Sequence, residues 1–335
     1  MLNCVTKINY DYNRNLYNCH DYKCHDYNCH DYNCHDYNCH DYNCHDYNRD
    51  LYQIPFTKKE QIESFYLFQE ELKKDKFFIG RLSGNETLFV SYIINNMPTD
   101  SLIQNMLFGA GIQFKTTDDC NLYKELYNAS VLNTTLLGIW DNMMYLQCKL
   151  YMDFIKNKNK ICASALDPCY YMDDPKYNIN NLLKNKKILI ITSHKETTKL
   201  QLNKLDMLYN KPIFDKSNTF YIYKPAQQNA GSHDRNSWTH HYNLMTQDLL
   251  NIKRDFDYDL ALISAGGFGM LLCNFIYKNT NASVVYVGGS LQLYFGIMGK
   301  RWQTNSSIIK NNNWMYPLDV DKPKHIEFCE NGCYW

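Results

Sequence analysis

The chain is 335 residues long, enough for one large or two medium domains, and its 35 basic and 35 acidic residues cancel. A zero net charge leaves no electrostatic footprint for a polyanion, so nucleic acid is not expected as a partner. No membrane span is expected either, because the longest apolar stretch, Leu262 to Tyr277, is interrupted by three glycines and by Asn274.

Met1 to Asn15 has no apolar segment of the kind a secretory signal needs, and the seven cysteines beyond residue 60 show no paired spacing. Reduced thiols in a cytoplasm-like compartment are therefore expected. Tyr, Asn, Lys and Ile are abundant, and all have AT-rich codons. The composition points to an AT-rich genome, such as that of a large DNA virus, a protist or a bacterium; for a virus the compartment would be the host cytoplasm or the virion.

Residues 18 to 48 repeat HDYNC with a period of five. Adjacent Cys and His are good zinc or copper ligands. Yet five residues advance a helix by about 500°, so no helical face collects the copies, and in a strand the odd period sends successive copies to opposite faces. With no aliphatic residue to form a core, residues 1–50 read as a disordered tail with metal binding as the alternative. A folded domain follows, from 51 to 335.

Within it, Thr57 caps a helix over Lys58 to Lys74, and Glu60 completes a capping box. Phe77 to Leu82 reads as a strand, Ser83-Gly84-Asn85-Glu86 as its exit loop and Thr87 to Asn95 as a helix. Asp119 to Lys156 reads as mostly helical, with Leu136, Leu137, Ile139 and Trp140 among its core contacts. Ile161 to Leu166 is a further strand stopped by Asp167-Pro168, and Tyr177 to Asn185 a short helix. Lys187 to Thr192, KILIIT, is a buried strand whose exit carries Ser193-His194-Lys195-Glu196. Thr219 to Tyr223 is a strand, and Trp238 to Arg254 a helix with His240 and His241 in its first turn.

Asp257 to Trp302 then reads as strand, glycine turn, helix, strand, glycine turn, helix. Leu260 to Ser264 and Ala282 to Val287 are the strands, and Met270 to Lys278 and Leu291 to Ile297 the helices. Ala265-Gly266-Gly267-Phe268-Gly269 and Gly288-Gly289 are the turns. After Trp302 the chain turns polar, and Trp314, Pro317 and Cys333-Tyr334-Trp335 suggest a tail strapped across the domain. Strands alternating with helices specify an α/β fold, Rossmann-like, with a largely parallel sheet and flanking helices. Chemistry in such sheets gathers at the carboxyl ends of the strands. The glycines there either bring backbone N–H groups to an anion or only make tight turns. No G-x-x-x-x-G-K-[ST] loop is present, and the first turn lacks G-x-G-x-x-G spacing, which argues against P-loop hydrolysis and against NAD.

Three stretches carry a resemblance: FFIGRLSGNETL at Phe77 to Leu88, KILIITSHKETTKLQ at Lys187 to Gln201, and AGGFG followed by GGSLQLYFGIMGKRW at Ala265 to Trp302. Together they resemble the family of GT-D-fold glycosyltransferases and their bacterial and giant-virus relatives, over roughly residues 60 to 335. The resemblance implies transfer of a sugar from a nucleotide-sugar donor to a glycan or protein acceptor. It implies catalytic roles for Glu86 and Arg81 in an R-x-x-D-x-E type motif, with Glu86 on a Mn²⁺ or Mg²⁺ ion. For such a donor, contacts are expected from Gly84, Asn85, Gly266, Gly267, Gly269, Gly288, Gly289 and Gln292, from His194 and Glu196 as ribose or acceptor contacts, from Lys300 and Arg301 as a diphosphate clamp, and from Trp302 stacking on a sugar or base. The chain departs from the motif at Gly84, which stands where the family has Asp. A lone carboxylate is a poor site for a hard cation. Two other readings therefore stay open: a non-catalytic nucleotide- or sugar-binding relative, and a metal-binding tail protein whose globular part is structural.

Overall fold

The structure, a computed structural model, describes residues 56–140, 151, 153–168, 175–303 and 310–335. The pentapeptide repeats lie outside the described residues. Residues from Ile54 to Trp335 form one compact unit.

A seven-stranded sheet organises this unit, and every pairing in it is parallel. Its strands are β1 (Phe78–Arg81), β2 (Leu136–Ile139), β3 (Lys160–Cys162), β4 (Lys187–Thr192), β5 (Thr219–Tyr223), β6 (Leu260–Ser264) and β7 (Ser283–Tyr286). Their order across the sheet is β3-β2-β1-β7-β6-β4-β5. The central strands are short apolar runs buried along their length, because both sheet faces are covered. One face packs Phe89, Val90, Tyr123, Tyr127, Trp238, Leu249 and Leu272 into one cluster. The other packs Phe65, Phe68, Leu183, Tyr209, Phe214, Leu291 and Phe295 into a second.

Local signals set most of the boundaries. Thr57 caps α1 (Lys58–Leu72), and Glu60 returns the bond to the Thr57 backbone, closing the capping box. Helix α2 (Gly84–Ile94) begins three residues earlier than its sequence suggests, so Gly84, Asn85 and Glu86 form its first turn rather than a loop. Ser83 takes the extended conformation that admits the chain to the helix, and the Thr87 amide bonds back to its carbonyl.

The stretch 119–156 needs a larger correction. Helix Thr117–Asn133 ends there and β2 follows at once, paired with β1 on one side and β3 on the other. Tertiary pairing overrides the helical reading of Leu136 to Ile139. Gly138 is what lets β2 sit so close to its neighbours: a Cβ there would stand 3.3 Å from Ala163 Cα. The Ile161–Leu166 strand is also shorter, since it gives way to a 3₁₀ turn at Ala163–Leu166. The described cysteines Cys120, Cys162, Cys273, Cys329 and Cys333 are all free thiols. No described helix is long and apolar enough to cross a membrane.

Crossovers leave neighbouring strands toward opposite faces. The chain leaving β1 enters α2 on the first face, whereas the chain leaving β7 runs to Leu291 and Tyr294 on the second. Such divergence opens a crevice at the strands' carboxyl ends.

Candidate functional site

A cleft of about 300 Å³ lies in that crevice. The exits of β1, β7, β6 and β4 and the loop leaving β5 line it, together with the turn at Gly109–Gly111 and the tail residues Cys329, Glu330, Tyr334 and Trp335.

Strand β1 delivers Arg81. Its guanidinium lies over two aromatic faces, 5.1 Å from the Trp140 ring centroid and 5.5 Å from that of Tyr286. Room for it comes from Gly288: a Cβ there would stand 1.9 Å from Arg81 Nη2, and the backbone φ of +66° suits glycine. Arg81 Nε is buried and has no hydrogen-bond partner among the described residues.

Glu86 projects from the first turn of α2 and is 5% exposed. Burial pushes its carboxyl above the ordinary range, against the opposing pull of the Ser83 hydroxyl, its own backbone N–H and the Arg81 charge. No ion pair joins Glu86 to Arg81, although both line the cleft. Gly84 and Asn85 also line it. Around Gly84 the space is open, with nothing within 4 Å of a Cβ built there.

At the β4 exit stands His194, 5% exposed, just ahead of helix Lys195–Gln201. Burial pushes its imidazole down to about 4, although Asp321 and Gln292 pull the other way. The ring meets Trp335 edge-on at 6.0 Å between centroids. Glu196 is not in the lining: it pairs with Lys199 at 2.8 Å.

The two glycine turns divide by role. Gly266, Gly288 and Gly289 line the cleft. Gly267 and Gly269 do not, since a Cβ on Gly267 would press on Ile112 at 2.5 Å and one on Gly269 on the Tyr286 ring at 2.0 Å. The glycines are there largely so that side chains can fit: Arg81 at Gly288, Tyr334 at Gly289, Tyr286 at Gly269.

Gln292 is buried in the lining and donates to the carbonyls of Ile297 and Tyr334, at 3.2 and 3.4 Å. Arg301 is engaged by the tail. It pairs with Glu330, donates to the Tyr334 hydroxyl at 3.1 Å, and its backbone N–H bonds to the Cys333 carbonyl at 3.0 Å. Lys300 lies outside the lining, and Trp302 is buried with Leu293 and Met298 instead of facing a ligand. The tail thus does strap the domain.

Sequence reasoning missed three participants. Asp321 is fully buried and accepts from the Glu196 and Thr197 backbone N–H groups and the Thr197 hydroxyl, at 3.2, 2.7 and 2.7 Å. It caps the helix beyond β4 from 124 residues away in sequence, and no local pattern encodes that. Gln227 and Trp335 line the cleft and carry no local signature either, whereas Asp321 stands behind the lining.

For a divalent ion the donor set is thin. Among the described residues no three or more His, Cys, Asp or Glu side chains converge. Of the carboxylates in the lining, Glu330 is already held by Arg301, which leaves Glu86. Hard cations take six or more oxygens, so these residues do not by themselves make a cation cage. No protein-family model, no curated protein and no solved structure matches this chain.

Proposed function

We propose that the cleft binds a nucleotide sugar and that the chain is a glycosyltransferase acting on a glycan or protein acceptor. The observation that carries this reading is the pairing of Glu86 with Arg81 in one cleft, unbridged, at the carboxyl end of β1. Group transfer from a nucleotide sugar needs a base for the acceptor hydroxyl and a cation for the departing diphosphate. In this reading the acceptor oxygen bonds to the anomeric carbon as the bond to the diphosphate breaks. The acceptor proton goes to the Glu86 carboxylate, and the Arg81 guanidinium offsets the charge gathering on the diphosphate. The upward-shifted carboxyl makes the ionised form of Glu86 a stronger base than an ordinary glutamate. The polar and aromatic lining, with Asn85, Gln228, Asn229, Trp140 and Tyr286, suits a ligand that is part sugar and part ring.

Gly84 favours a second reading, a binding protein without turnover, because it removes the carboxylate that the family places there. One experiment addresses both. Thermal shift of the full chain against UDP- and GDP-sugars, with and without Mn²⁺, is followed by assay of nucleotide release. Stabilisation with release supports the transferase, and stabilisation without release supports the binder. Absence of any shift with every nucleotide sugar overturns both.

A further inference from the structure

Four nitrogens of the cleft lining are buried without a hydrogen-bond partner among the described residues: Arg81 Nε, His194 Nδ1, the Gln227 side-chain nitrogen and Trp335 Nε1. They fall into two groups. Arg81 stands at the β1 exit beside Glu86. The other three belong to the opposite side, where β4 and its neighbour β5 end and the tail crosses. We propose that His194, Gln227 and Trp335 form a second subsite, which takes a neutral, hydroxyl-rich ring: the saccharide acceptor. The identification as an acceptor rests on the transferase reading above.

Three features select that chemistry. First, the unpartnered atoms of Gln227 and Trp335 are N–H donors, which call for oxygen acceptors. A buried donor left unmatched costs about 1–3 kcal/mol, so a hydroxyl or ring oxygen that met it would remove that cost.

Second, this side carries no free charge. The charged side chains of the lining are Arg81, Glu86, Arg301 and Glu330, and the last two neutralise each other. Asp321 and Lys224 act on His194 from behind the lining and are 3.8 Å from each other, with Asp321 also capping the helix. A phosphate here would be desolvated with no cation to receive it.

Third, Trp335 is only 6% exposed and meets the His194 and Tyr334 rings at 6.0 and 5.8 Å. Both its ring and its unpartnered N–H are covered, so it presents no open face. A nucleobase gains most of its binding from stacking on such a face, so a saccharide fits this subsite better.

The test is heteronuclear NMR of the isotope-labelled full chain, with the Trp335 indole signal assigned by Trp335→Phe, which keeps a ring in place. The probes are methyl glycosides of glucose, galactose, mannose and N-acetylglucosamine at millimolar concentration and, separately, UDP, GDP, uridine and guanosine. At least one glycoside is expected to move the Trp335 indole signal. His194→Ala and Gln227→Ala are each expected to weaken that glycoside by about fivefold, the scale of one hydrogen bond, while nucleotide affinity stays within about twofold. If no glycoside moves the signal, or if uridine or guanosine moves it and displaces the glycoside, the subsite is overturned. Glycoside binding with no nucleotide binding anywhere would leave the subsite standing and remove the transferase reading. Nucleotide binding with a silent Trp335 would do the reverse.

Discussion

The exits of β1 and β4 each hold one deeply buried titratable side chain at the same cleft, and burial moves the two in opposite directions. Glu86 is pushed up and His194 is pushed down to about 4, so both neutral forms are favoured and the usual gap between carboxyl and imidazole narrows from both sides. The surroundings differ in kind. Glu86 shares the cleft with an arginine held between two rings, whereas His194 meets the Trp335 indole and the Gln292 amide, with Asp321 and Lys224 behind it. Desolvation acts on both groups, while the charges around them differ. The ionised form of a carboxyl with a raised pKa, next to a cation, can take a proton from a hydroxyl. A neutral imidazole with an unpartnered ring nitrogen can hydrogen-bond a hydroxyl.

The largest effect is expected from Glu86→Gln. It keeps size and hydrogen bonding but removes the base, and turnover is expected to fall by at least ~10²-fold. The same change relieves a buried group whose ionised form the fold disfavours, so Tm is expected to rise by about 2 °C at neutral pH. A variant with unchanged turnover would make Glu86 a helix-terminus residue with no part in chemistry.

A pH series separates the two exits by sign. His194 has a lowered folded pKa, so its contribution is complete above the unfolded value and is lost as pH falls toward about 4. Between pH 7 and pH 5 this amounts to about 2 kcal/mol of unfolding free energy. Glu86 has a raised folded pKa, so its effect runs the other way: stability is lost as pH rises through that value and regained on acidification. Urea melts should therefore show a shallower acid loss in His194→Gln than in wild type, and a steeper one in Glu86→Gln. Parallel curves for all three proteins would mean that neither site is desolvated as described.

The smallest effect is expected at Gly84→Asp. The open space around this position predicts a stability change under about 1 kcal/mol, and the second carboxylate beside Glu86 should strengthen Mn²⁺ binding, read by calorimetry. A large loss of stability would show that α2 needs glycine at its first position.

Legibility followed locality. Strands β4, β5 and β6 are bounded in sequence by polar residues or turns, and the sequence marks their ends to the residue. Strand β2 was hidden because Leu136 to Ile139 continues an apolar helical stretch. Its markers, Thr134-Thr135 before it and Gly138 within it, acquire meaning only beside β1 and Ala163. Within the site, Glu86, Arg81 and His194 could be read because they follow apolar strands directly. Gln227 and Trp335 could not, since a long loop and the tail bring them to the cleft, nor could Asp321, which the tail brings up behind His194. The glycines were visible as a pattern, but their purpose depends on which side chain each must accommodate, and the sequence does not pair Gly288 with Arg81.

The position of β7 has a consequence for how the chain acquires its shape. It lies between β1 and β6, joining β3-β2-β1 to β6-β4-β5, and its partner β1 is some 200 residues earlier. Until Ser283–Tyr286 is in place, β1 and β6 are bare sheet edges with unpaired N–H and C=O groups. Pairings so distant in sequence close slowly, so the half-sheets are expected to accumulate as an intermediate during refolding. That intermediate is the species most prone to join with a second copy through its open edges. Dilution, rather than added ligand, is then the condition that should most improve recovery of the folded chain.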